Sequence, residues 1–404
     1  MNICIIAKSL PAHVIGGMEI HVQELVDGIV KKGHKVTVIT TKHPKGIDKE
    51  EKKNLKIYYV GDEPIKYTDK FYEGSAKLFD KLNKTEKFDV VHSQSTAAIG
   101  LQIHSIKTPP TVISFHGTSI DEIKSRINVL FSKVSLVNKI KSFIMIFKIS
   151  SAHILYTIHG YKFDGVIATS NEQVGVLTKW YNFQARNIYK VFNGVDIEGF
   201  KPRKKSTVLN KYNGENHKII LTVSKIIEQK GIQNIILAMP NILKYDGNIK
   251  LVIVGKGDYM ANLNNLVQKL SIGNNVIFIG NVPFESLPDY FNACDLFVNP
   301  TIRQNGYDLT ILEAMACEKP VVVSNIGSVP TAIEDGVDGL LVPTGDIKKL
   351  AEAVIKVLKD QELAKRLGKA ARKKIEEKFS LERMVDSTIK VYEEVIRRNK
   401  ERSI

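Results

Sequence analysis

Cysteine is scarce in this chain. Cys4, Cys294 and Cys317 lie far apart, in apolar contexts and without a C-x-x-C pair, which excludes a disulfide framework and a cysteine zinc site and fits a reducing, cytoplasmic setting. No run of about 18 uncharged apolar residues occurs, so no membrane-spanning helix is expected. The opening, MNICIIAKSL, also lacks the basic start and long apolar region of a secretory signal. H-E-x-x-H, a Cys/His metal cluster, Ser-His-Asp spacing and a D-x-D triplet are all missing. No metal site and no cofactor are therefore expected, beyond whatever substrate the protein binds. The single tryptophan, Trp180, stands outside the basic cluster described below, and no aromatic-interleaved basic platform is evident. Nucleic acid is not the expected partner.

What is present is ordinary soluble-protein composition in 404 residues, 43% hydrophobic and 25% charged. That length exceeds what one core fills, since cores stop growing at about 250 to 300 residues, so two domains are expected. The net charge of +15 suits nucleic acid, an anionic membrane or phosphorylated substrates, or is simply lysine spread over solvated faces. The pattern predicts strands at NICIIA, KVTVIT, VVHSQ, TVISFHG and GVIATS, with a helix over GGMEIHVQELVDGIVKKG. After a polar, basic stretch at 200–217 the alternation restarts with KIILTVS, IKLVIVGKG, NVIFIGNV, DLFVNP, KPVVVSN and GLLVP. This is α/β alternation with two doubly wound, Rossmann-like halves, 1–200 and 201–380, and ligands in such sheets bind beyond the carboxyl ends of the strands. A site between the halves is expected. The chain after Asp346 reads as helical, with 381–404 returning to pack on the first domain.

Several residues carry possible chemistry. Lys225 and Lys230, in LTVSKIIEQKG, fall at the carboxyl edge of a strand and ahead of a helix, where two cations and a helix N-terminus suit a diphosphate. Two solvated lysines are the alternative. Gly16 and Gly17 precede a helix and allow close approach of a ligand to backbone. His116 ends TVISFHG, where a histidine either transfers a proton or is satisfied structurally. Glu313 sits on an apolar helical stripe with Leu309, Leu312 and Ala316. A carboxylate there is either paired within the core or aimed at a ligand such as ribose hydroxyls. Asp308 is expected to cap that helix.

In order and spacing these segments resemble the GT-B retaining glycosyltransferases of family 4. The likeness runs through GGMEIHVQELVDGIVKKGHKVTVIT, FDVVHSQS, TVISFHG, FNGVDIEGFKP, EQKG, LVIVGKG and YDLTILEAMACEKPVVVSNIGSVPTAIEDGVDGLLVP. The resemblance implies a GT-B fold and a hexosyltransferase that takes a UDP- or GDP-sugar and a glycan or lipid-linked acceptor. It implies catalytic roles for His116, Lys225 and Lys230, and donor binding by Gly16, Gly17, Asn305, Asp308, Leu309 and Glu313, with Glu313 on the ribose. Two positions depart from the family pattern. Lys225 stands where the family has Arg, keeping charge but losing the forked geometry. Asn305 stands where the family has the first of two Glu. A charged acceptor contributes roughly 1.5–3 kcal/mol against about 0.5–1.5 for a neutral one, so Asn305 either weakens transfer or shifts sugar preference.

Between Ile123 and Phe163 the chain has seven Lys or Arg and no Asp or Glu, amid apolar residues. Such a segment either lies on an anionic membrane, giving a protein peripheral to the inner face, or is a core helix with a basic edge. The competing functions are a GT-B sugar-nucleotide processing enzyme such as an epimerase, and a nucleotide-sugar-binding protein that has lost transfer.

Overall fold

The computed structural model describes residues 1–131, 140, 143–147, 149–150, 162–204, 206–210, 217–304 and 308–402. The chain divides into two compact units. The first holds Met1–Ile120, the stretch from 149 to 194 and the chain from Leu381 onward; the second holds Val195–Ser380 and the stretch that begins at Asp121.

The first unit is built on strands β1 (Asn2–Ile6), β2 (Lys35–Thr41), β3 (Lys49–Lys52), β4 (Leu55–Val60), β5 (Val90–Gln94), β6 (Thr111–Phe115), β7 (Gly165–Ala168) and β8 (Ile188–Lys190). Their order is β3-β4-β2-β1-β5-β6-β7-β8. β3 runs antiparallel to β4 at one edge. The remaining pairs are parallel. In β1, Ile3 and Ile5 join one buried cluster while Cys4 and Ile6 join another. Both faces are covered, which is why the strand is a continuous apolar run rather than an alternating one. Helix Leu381–Arg402 closes one face with Met384, Val385, Val391, Tyr392 and Val395.

The second unit has β9 (Lys218–Val223), β10 (Ile249–Val254), β11 (Val276–Gly280), β12 (Leu296–Asn299), β13 (Val321–Asn325) and β14 (Leu340–Pro343), all parallel, in the order β11-β10-β9-β12-β13-β14. Helices Ile232–Tyr245 and Ile347–Lys359 supply Ile235, Ile236, Met239, Val354 and Val357 to its core. Side-chain caps start several helices: Thr68 accepts from Phe71 N, Ser170 from Gln173 N and Asp346 from Lys349 N. Each satisfies a backbone donor that the first turn leaves without a partner.

With neighbouring strands still parallel, the direction in which successive strands are added reverses at one place in each sheet, between β1 and β5 in the first and between β9 and β12 in the second. At such a place the loops leaving adjacent strands diverge and open a crevice. The described loop residues at the second crevice are 224–231, which include both candidate lysines, and 300–304. Among the described residues no helix is long and apolar enough to cross a membrane.

Candidate functional site

In the second unit Lys225 is exposed, whereas the Lys230 side chain is 11% exposed. The Lys230 ammonium is ion-paired with Asp308. Asn299, at the end of β12, donates from Nδ2 to the other Asp308 oxygen at 2.9 Å. Asp308 occupies the N-cap position of helix Leu309–Ala316, but its side chain accepts no helix N–H. The expected capping role is thus corrected: the carboxylate oxygens face Lys230 and Asn299 and not the first turn of the helix. Burial acts to raise the Asp308 pKa; the Lys230 charge and hydrogen bonds from Lys230 and Asn299 outweigh it and hold the carboxyl below its usual range.

Backbone contacts fix the lysine loop against its neighbour. The Gln229 carbonyl accepts from Ile302 N at 3.0 Å and from Thr301 Oγ1 at 3.2 Å. On the other side, the Lys256 carbonyl accepts from Ile226 N at 2.8 Å. A Cβ added at Gly257 would sit 2.0 Å from the Ile226 carbonyl oxygen, so the glycine of VGKG permits this close packing. Past Thr301, Arg303 Nη2 lies 3.8 Å from Glu122, and Gln304 N donates to Ser125 Oγ at 2.9 Å. Glu313 is 5% exposed within helix Leu309–Ala316, and Leu309, at its start, is half-buried. Asn305 lies outside the described residues, as does most of the basic apolar segment 123–163.

In the first unit the β5–β6 register pairs His92 with Val112 and Gln94 with Ser114. His92, Gln94 and Ser114 therefore share one face of the sheet, with His116 two residues beyond Ser114. His116 Nε2 lies 2.6 Å from Gln94 Oε1. His92 is held on both sides, Nδ1 by the Tyr392 hydroxyl at 2.6 Å and Nε2 by Ser114 Oγ at 2.7 Å. From helix Gly17–Lys31, His21 sets its ring edge-on to His116 with centroids 4.6 Å apart. Gly16 has an extended backbone that any residue adopts, but a Cβ there would come within 2.6 Å of Glu19 Oε2. The other Glu19 oxygen accepts from Ser9 Oγ at 2.6 Å. Gly17 is exposed at the helix start.

Burial pushes His116 down to about 4. Burial and the neighbouring His116 push His92 down to about 3. Burial, then His116 and His92, hold His21 well below the ordinary imidazole range. All three are neutral in the folded protein at pH 7 and take up protons on unfolding once the pH falls below about 6.5. The stability they permit is complete above that value and is lost as pH falls towards the folded values. Urea unfolding of the first unit should weaken by up to about 1.4 kcal/mol per pH unit for each histidine between pH 6 and pH 5. A flat profile would contradict the neutral cluster.

Sequence reasoning passed over His21, His92, Gln94 and Asn299. The available signal is polar residues at strand ends: VVHSQ places His92 and Gln94 two residues apart in an otherwise apolar strand, and DLFVNP ends on Asn299.

Residues 15–198 match the model of the Glycosyltransferase Family 4 domain, and residues 205–374 that of Glycosyl transferases group 1. An uncharacterised glycosyltransferase of Methanocaldococcus jannaschii is 28% identical over 408 aligned positions, which span 97% of this chain and 98% of that protein. Sucrose-phosphate synthase from Thermosynechococcus elongatus superposes with a TM-score of 0.80 at 21% identity, over 98% of each chain. Anabaena HepE in complex with UDP-glucose does so with a TM-score of 0.74 at 19% identity, over 99% of this chain and all of that one. At those identities the two structures speak for the fold alone. With both domain models matched in sequence order and two parallel-sheet units of this topology, the chain belongs to the GT-B glycosyltransferases of group 1.

Proposed function

We propose that this protein transfers a hexose from a UDP- or GDP-sugar to a glycan or lipid-linked acceptor, with retention of anomeric configuration and without a metal cofactor. The observation that carries the reading is Lys230, nearly buried at the second-unit crevice and paired with Asp308, with Lys225 exposed on the same loop. The bond between the anomeric carbon and the diphosphate oxygen breaks, and negative charge develops on the departing diphosphate. Lys225 and Lys230 stabilise that charge where it forms, with Lys230 exchanging Asp308 for a phosphate oxygen. The acceptor hydroxyl oxygen bonds the anomeric carbon from the face the diphosphate leaves, and its proton passes to the departing diphosphate oxygen. The family resemblance assigns Glu313 to the ribose hydroxyls and His116 to the transferred sugar.

A lipid-linked acceptor is supported by the described part of the basic segment. Ile140, Phe143 and Ile144 are 52%, 67% and 50% exposed, in a stretch whose charged residues are all basic. Apolar side chains beside lysines suit an anionic bilayer surface. Flotation with vesicles should therefore depend on anionic lipid.

A thermal-shift panel of nucleotides and nucleotide sugars tests the core of the reading. A true ligand at 100 times its dissociation constant should stabilise by about 2.7 kcal/mol. Glu313→Gln should weaken ribonucleotide binding by about tenfold, as expected when a charge-assisted hydrogen bond becomes neutral. Turnover should survive EDTA. Donor consumed without acceptor to give an epimerised sugar would replace the proposal with the processing-enzyme reading, and binding with no turnover would replace it with a binding protein.

A further inference from the structure

We propose that Gln94 is a positioning residue that fixes His116 in one neutral tautomer, with Nε2 protonated and Nδ1 carrying the lone pair, so that the ring offers an acceptor to a bound sugar hydroxyl. This rests on the transferase reading for its functional consequence but not for its geometry.

An amide oxygen has no proton to give, so the 2.6 Å contact with Gln94 Oε1 requires the hydrogen on His116 Nε2. A neutral imidazole has only one ring N–H, and Nδ1 is therefore left as an acceptor. The amide is held in turn. Gln94 is 2% exposed, and its Nε2 lies 3.4 Å from each nitrogen of the His92 ring. Both His92 nitrogens already have short partners in Tyr392 and Ser114, so that ring is a fixed floor beneath the amide. Reversing the amide would turn its oxygen towards the His92 nitrogens and its NH2 towards His116, exchanging the His116 tautomer. The titratable groups around His116 are His21 from helix Gly17–Lys31 and His92 from β5, with Tyr392 of the C-terminal helix behind His92. Burial of His116 keeps the proton count at one, and Gln94 decides where that proton sits.

Long-range 1H–15N spectra of the full chain labelled at histidine, without ligand, test the tautomer directly. The wild type should show His116 protonated at Nε2 only. Gln94→Leu should lose that preference and, with the nucleotide sugar selected by the panel above, cut kcat by roughly 10- to 100-fold while leaving donor KM within about threefold. Gln94→Glu should keep the tautomer but raise the His116 pKa by a unit or more, because a carboxylate favours the charged ring. Its activity should therefore recover as pH rises, whereas Gln94→Leu should not recover at any pH. A purely structural glutamine predicts no such difference. If Gln94→Leu does not fold, the titration of Gln94→Glu decides alone. A wild-type His116 protonated at Nδ1, or a Gln94→Leu variant with unchanged tautomer and turnover, overturns the proposal. A chain that binds no nucleotide sugar would sink the transferase reading and leave the tautomer measurement standing.

Discussion

Lys230→Ala should lower kcat by roughly 10²–10³-fold, the loss typical of removing one preorganised charge from a developing anion. Part of any such loss could come from damage to the fold, because the substitution also strips Asp308 of its cation. The Lys230 and Asp308 side chains are only 11% and 21% exposed, and removing one member of a buried pair costs roughly 3 kcal/mol. The double variant Lys230→Ala/Asp308→Ala separates the two effects. It removes the stranded carboxylate, so thermal stability should return most of the way to wild type while turnover stays low. Single-variant turnover within threefold of wild type would end the assignment of Lys230 to the diphosphate. Recovery of turnover in the double variant would show that the lysine serves only to neutralise Asp308.

That pair also marks the limit of what local pattern conveys. β1, β2, β5 and the core strands of the second unit are legible because burial on both faces demands apolar runs, and the parallel topology follows from their alternation with helices. β3 is KEEK, an edge strand with Lys49, Glu51 and Lys52 exposed, and nothing apolar announces it. β4, LKIYYV, alternates in burial and lies outside the runs singled out, as does the three-residue β8. Asp308 looked like a helix cap because its position, one residue before Leu309, is a capping position. The cation it pairs with lies 78 residues earlier, across a sheet crossover, and spacing contains no trace of it. His116 was legible as a strand-end histidine, whereas the stack of His92, Gln94 and Tyr392 supporting it needed the β5–β6 register and a helix from the far end of the chain. Candidate residues are thus visible where chemistry sits at a strand end, and their supports are hidden where they come from other elements.

Gly231→Ala should destabilise the second unit more than any surface substitution and abolish turnover through the lysine loop. Gly231 links the turn Glu228–Lys230 to helix Ile232–Tyr245 with φ of +67°, a left-handed conformation in which a Cβ costs about 1–2 kcal/mol. Space is the larger obstacle. The added Cβ would lie 1.9 Å from the carbonyl oxygen of Pro300, so the loop after β12 must move away. That movement would stretch the bonds from Ile302 N and Thr301 Oγ1 to Gln229, the same contacts that hold Lys230 opposite Asp308 and Asn299. Strain and clash together predict a loss of at least about 3 kcal/mol, or roughly 6–12 °C in Tm for a unit of this size. Gly247→Ala is the matched control: nothing lies within 4 Å of its Cβ position. It should melt within about 2 °C of wild type and turn over normally. If the two variants behave alike, close packing between the lysine loop and Pro300 is not what holds this site together. If Gly231→Ala melts low but keeps its kcat at a temperature where it is folded, the loop's placement is separable from transfer, and Lys230 reaches the diphosphate without the support of Asp308.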